Sequence, residues 1–150
     1  MTATTRTQPP DNLEPAQAYP VGEKQPERVR TRSGRALKDL TLDNLLAGGV
    51  TAADFGITAE GLRLQAAIAE QAGRPNLAQN LRRGAEMVDM PDEVILEIYE
   101  QLRPGRTHNA AELQATAERV RREYGAEQTA RLIEEAAAAY ERRGIFERRI

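Results

Sequence analysis

The stretch ITAEGLRLQAAIAEQAGRPNLAQNLRRGAEM, Ile57 to Met87, decides the fold class. Thr58 is of the type that caps a helix, and the run AEGLRLQAAIAEQA after it reads as one helix closed by Gly73. Pro75 suits the first position of a second helix, because its missing N–H would be unpaired there anyway. At the helical step, Leu62, Leu64, Ala66, Ile68, Ala69 and Ala72 spread over an arc of about 200°, leaving the rest to Glu60, Arg63 and Glu70. An apolar arc that wide needs neighbours on two sides. The domain itself can supply one, and another subunit can supply the second.

The same punctuation repeats on both sides of this stretch. Thr41 can cap a short helix through Leu45 and Leu46, stopped at Gly48-Gly49, and Thr51 with Asp54 has capping-box spacing around a single turn. Pro91 suits the first helical position of PDEVILEIYEQLR, where Val94, Ile95, Leu96, Ile98, Tyr99 and Leu102 again span about 200°. Asn109 and Glu112 form another capping-box pair, opening a helix to Tyr124 that stops at Gly125; its stripe of Leu113, Ala117, Val120 and Tyr124 is narrow. A last helix covers about Ala126 to Arg143. No segment alternates with the period of a strand, so the class is all-α: a small bundle of about five helices.

Residues 1–35 read differently. Pro9, Pro10, Pro15, Pro20 and Pro26 lie among Thr, Gln and Glu, which predicts a flexible, extended arm without helix, followed by a helical domain over 36–150. The arm's end, ERVRTRSGR (Glu27–Arg35), concentrates positive charge and reads as a solvated approach to the domain. Its Ser33-Gly34 turn lacks the Lys-Ser/Thr that a phosphate loop needs.

Composition limits what such a chain can do. Leu, Ile, Val and Phe make up about a fifth of its 150 residues and tryptophan is absent, so much of the apolar fraction is alanine, which favours helix but buries little surface. Two organisations follow: a helical chain whose stability a partner completes, or a modest independent bundle with a loose tail. With no cysteine, disulfides, thiol nucleophiles and Cys-based zinc sites are excluded. The one histidine, His108, falls between two helices with no evident partner. The acids Asp92-Glu93 and Glu134-Glu135 fall at or near helix starts, where they oppose the helix dipole. A net charge of −2 and arginines interleaved with glutamates argue against a nucleic-acid binder. No apolar run is long enough for a membrane span and no secretory signal is evident, which predicts an intracellular chain. No residue set for catalysis, cofactor or metal stands out.

The order of motifs then becomes informative. LTLDNLLAGGVTAADF (Leu40–Phe55), the Ile57–Met87 stretch, PDEVILEIYEQLRP (Pro91–Pro104) and YERRG (Tyr140–Gly144) follow one another closely, and LRLQ…IAE-AGRP-LA-N-RR-AE joins unusual polar residues at fixed spacing. Over roughly residues 19 to 145 the chain resembles the small (gamma) subunit of adenosylcobalamin-dependent diol and glycerol dehydratases. The resemblance implies a lyase that converts 1,2-propanediol, glycerol or ethanediol to an aldehyde and water by a radical mechanism. It implies large (alpha) and medium (beta) partner subunits in an α2β2γ2 assembly. It further implies adenosylcobalamin held between those two subunits, substrate and a cation in the large one, and no catalytic, cofactor or metal residue on this chain. The implied setting is cytoplasmic, and the family is often housed in bacterial microcompartments. The arm, with its prolines and no apolar stripe, reads as a plain extension rather than an encapsulation helix. The competing reading is an independent helical adaptor or regulatory module without enzymatic role.

On the Pro75 helix, Leu77, Leu81, Ala85 and Val88 form the face expected to pack inside. Asn76, Asn80, Arg83 and Met87 lie within about 60° of one another beside it and are the expected contact with the large subunit. Arg82, on the other flank, is expected to be surface and to pair with Glu86.

Overall fold

A computed structural model of the chain describes residues 14–147. Eight α-helices run in order: α1 (Pro15–Ala18), α2 (Val21–Lys24), α3 (Leu42–Leu46), α4 (Ala59–Gln71), α5 (Pro75–Met87), α6 (Asp92–Gln101), α7 (Ala110–Tyr124) and α8 (Glu127–Arg142). Short 3₁₀ turns link them, and among the described residues the only extended pairing is an isolated antiparallel bridge between Arg30 and Ala36. The class is all-α, with five helices of ten residues or more among the described residues.

The local signals act as their chemistry requires. Thr41 Oγ1 accepts the Asn44 N–H (3.2 Å), Thr58 Oγ1 accepts that of Gly61 (3.1 Å), and Asn109 Oδ1 accepts that of Glu112 (3.0 Å). Glu112 answers by accepting the His108 N–H (3.3 Å), one residue before the N-cap. Pro75 opens α5, whereas Pro91 sits one position outside α6 as its N-cap. Asp92 and Glu93 occupy the first turn of α6, but Glu134 lies in mid-α8, where it accepts from Arg121 Nη2 at 2.9 Å.

The chain divides into two compact units, Met1–Ala85 and Glu86–Ile150, and α5 crosses the boundary. In the second unit, α7 turns back into α8 through Gly125, whose φ of +62° suits a residue without Cβ, and Ala126. Leu113, Ala117 and Val120 of α7 are fully buried, as are Ala130 and Ile133 of α8, with Ala137 nearly so; Met90 and Ile98 join them. The alanine run of α8 therefore does more than favour helix, since Ala137 belongs to this core. α6 fills only part of its predicted arc: Val94, Ile95 and Leu102 pack on the core, while Leu96 and Tyr99 remain exposed.

In the first unit, α4 finds both of its neighbours within the chain. Ala66 and Ala69 pack on Ala78 and Leu81 of α5. Ile68, with Leu64 and Ala67, packs on Ala18 and Val21. The second neighbour considered for α4, another subunit, is thus replaced by the N-terminal segment. That also corrects the helix-free arm over residues 14–35, because α1 and α2 are single turns with too few residues to show periodicity, and α4 supplies the surface they fold against; residues 1–13 of the expected arm lie outside the described residues. The face of α5 is rotated from the expected one: Ala78 and Ala85 are buried and Leu81 and Val88 half-buried, but Leu77 is 44% exposed. An alanine at the α4 contact allows a closer helix approach than leucine would, which leaves Leu77 on the flank.

Candidate functional site

α5 brings part of the expected contact stripe together. Arg83 Nη1 donates to Asn80 Oδ1 at 3.1 Å; Asn76 and Asn80 are exposed, and Arg83 is half-buried with its Nε enclosed and without a partner. Met87 is half-buried and packs on the core of the second unit, so its side chain contributes to folding.

The expected Arg82–Glu86 pair does not form. Arg82 Nη2 instead pairs with Glu70 of α4, both side chains remaining substantially exposed. Glu86 has a more specific partner. Its carboxylate accepts the N–H groups of Gln128 (2.9 Å) and Thr129 (2.8 Å) and the Thr129 hydroxyl (2.9 Å). These groups lie in the first turn of α8, whose own N-cap, Ala126, has no capping side chain. Glu86 is thus an N-cap delivered from another helix, with charge opposed to the helix dipole. A capless helix start at Ala126 was the available clue that such a donor had to exist elsewhere.

A second cluster was missed in the sequence. The segment Glu27–Arg35 is mostly exposed, as expected, but it also folds back as a tight loop: the Thr31 N–H donates to the Arg35 carbonyl (3.0 Å), and Gly34 takes φ +85° at the turn. Ser33 donates its hydroxyl to Asp54 Oδ1, while Asp54 Oδ2 accepts the Thr51 N–H (2.9 Å) and hydroxyl (3.2 Å). Asp54 is buried, and the Ser33 hydroxyl, followed by the Thr51 N–H, draws its carboxyl down to about 2. The capping box around Thr51 was legible; Ser33, twenty-one residues away, was not.

Between this loop and the start of α4 lies a recess of about 280 Å³, with Val29, Leu37, Leu40, Phe55 and Ile57 among its lining residues. Phe55 and Ile57 are each 61% exposed at its edge. Nearby in sequence, α3 exposes Leu42, Leu45 and Leu46. The recess falls below the ~300–1,000 Å³ of ordinary small-molecule sites, so a corrinoid does not fit it. Among the described residues no three His, Cys, Asp or Glu side chains gather as a metal site, and His108 is exposed.

A family model for the dehydratase small subunit matches residues 15–147. The chain belongs to that family. The propanediol dehydratase small subunits of Citrobacter freundii and of Salmonella typhimurium are each 48% identical to this small subunit over 122 residues. Those matches cover 81% of this chain and 70% of each relative. The family match includes α1 and α2, the two turns that fold on α4. Among the described residues of this small subunit, no helix is long and apolar enough to cross a membrane.

Proposed function

We propose that this small subunit belongs to an adenosylcobalamin-dependent diol or glycerol dehydratase, a lyase acting on 1,2-diols in the cytoplasm. Its companions are a large and a medium subunit, in an α2β2γ2 complex. The observation that carries this reading is the 48% identity to two propanediol dehydratase small subunits across four-fifths of the chain. Cofactor, cation and substrate are assigned to the companion subunits, and this chain contributes assembly and stability. One feature supports that division: large apolar side chains remain uncovered in the first unit. Asn76, Asn80 and Arg83 on α5 are assigned to the contact with the large subunit, whereas Met87, packed on the core of the second unit, serves the fold. Arg83 and Asn80 support this most directly, because their side chains meet on one face of α5 where Asn76 and Asn80 are exposed.

Co-expression with large and medium dehydratase subunits tests the reading. The chain should co-purify with both, and omitting it should lower the yield of active complex. A chain that stays alone while the other two subunits give full activity would contradict it.

A further inference from the structure

From the recess and its charged lip, we infer that this surface receives an apolar anchor side chain from an acidic segment of a companion dehydratase subunit. The inference rests on the reading just given and assigns a place on this chain that differs from the α5 stripe.

Three observations converge. The first is exposure where the chain has few large apolar residues to spare. Phe55 and Ile57 stand mostly in water at the edge of a recess whose walls include Val29, Leu37 and Leu40. A hollow of about 280 Å³ with such walls has room for a side chain or two, which is how the central pocket of a protein interface is built. The second is rigidity. Asp54 ties the Ser33 loop to the Thr51 turn through both carboxylate oxygens, and Thr31 Oγ1 accepts the Arg35 N–H at 3.1 Å. The recess is therefore held open without a ligand, and little ordering cost remains for binding.

The third is charge. Arg30 lines the recess and is exposed, and its guanidinium donates to the Gly34 carbonyl at 3.4 Å. Arg35 is half-exposed, 3.9 Å from Asp54. The one carboxylate in the lining, Asp54, is buried with its oxygens already engaged. The lip is thus positive on a chain whose net charge is −2, so the complementary partner carries Asp or Glu beside its apolar anchor.

The test uses the full chain co-expressed with its companion subunits, carrying Phe55→p-benzoylphenylalanine. Irradiation of the purified complex should link position 55 to a companion segment with acidic residues beside the linked one. In parallel, Arg30→Glu should lower recovery of the chain in the complex about tenfold at low salt, and Arg30→Lys should preserve it. A link to a second copy of this chain, a link to a segment without acids, or an intact complex with no link at position 55 would each overturn the inference. If the unsubstituted chain fails to join the companions, the proposed function itself falls. If it joins and position 55 links elsewhere, only the present assignment falls.

Discussion

The two units of the chain use their apolar residues in opposite ways. The second, Glu86–Ile150, encloses Leu113, Val120 and Ile133 completely and, among its described residues, leaves only Leu96 and Tyr99 as large exposed hydrophobics. The first, Met1–Ala85, buries mainly small residues, Ala18, Ala59, Ala66, Ala69 and Ala78, with Leu62, Ile68 and Val50. It exposes Tyr19, Leu42, Leu45, Leu46, Phe55, Ile57 and Leu77. Burying a large aliphatic side chain contributes roughly 1.5–3 kcal/mol, so the second unit holds its fold with residues of the kind the first leaves free for contact. Holding the fold and offering surface are thus assigned largely to different parts of one short chain.

The sharpest way to break this contrast is to shorten one leucine in each unit. Leu113→Ala should destabilise the protein by about 2–5 kcal/mol, read as a fall in denaturation midpoint. Leu46→Ala, at a position 77% exposed, should change stability by no more than about 0.5 kcal/mol. Comparable losses would erase the distinction. Next in size is the distal cap: Glu86→Ala strips three hydrogen bonds from the start of α8 and should cost about 1–3 kcal/mol in a denaturant melt. A smaller loss is expected from Asn109→Ala, which removes the local cap of α7, at about 0.5–2 kcal/mol.

In the first unit, acid should act through Asp54. Its folded carboxyl, at about 2, lies below the ~3.9 of an unfolded aspartate. Its contribution is therefore fully present above pH ~4 and is lost as pH falls through about 2. Ser33→Ala removes the largest cause of the depression and should shift that loss to higher pH, measurable in melts across the window. The smallest effect belongs to Arg82→Ala. Its exposed pair with Glu70 is worth about 0–1 kcal/mol, so the melting curve should hardly move.

What the sequence made legible divides along the same physical line. Thr41, Thr58, Asn109, Pro75 and Gly125 act on backbone within a few residues, so their roles could be read from spacing, and the narrow stripe of α7 is buried as expected. The features that spacing does not show depend on contacts distant in sequence. Ala18 and Val21 fold only because α4 offers a second face. Glu86 leaves Arg82 for helix ends some forty residues away. Ser33 meets Asp54 through a loop whose charge suggested solvent. The α5 face was placed by leucines, but alanines at the α4 contact set the rotation and turned Leu77 outward. Of the candidate contact residues, Asn80 and Arg83 meet as their spacing on one helix requires, whereas the recess near Phe55 assembles from pieces between Val29 and Gln65.

The central claim is that the first unit supplies the assembly surface while the second holds the fold. Hydrogen–deuterium exchange tests it most directly, on the full chain alone and in complex with the companion subunits. Backbone amides of Leu42–Leu46 and Phe55–Ile57 should exchange more slowly in the complex, with those of α7 around Leu113 unchanged. Slowing confined to α6 through α8, with Leu42–Leu46 and Phe55–Ile57 unaffected, would contradict the account.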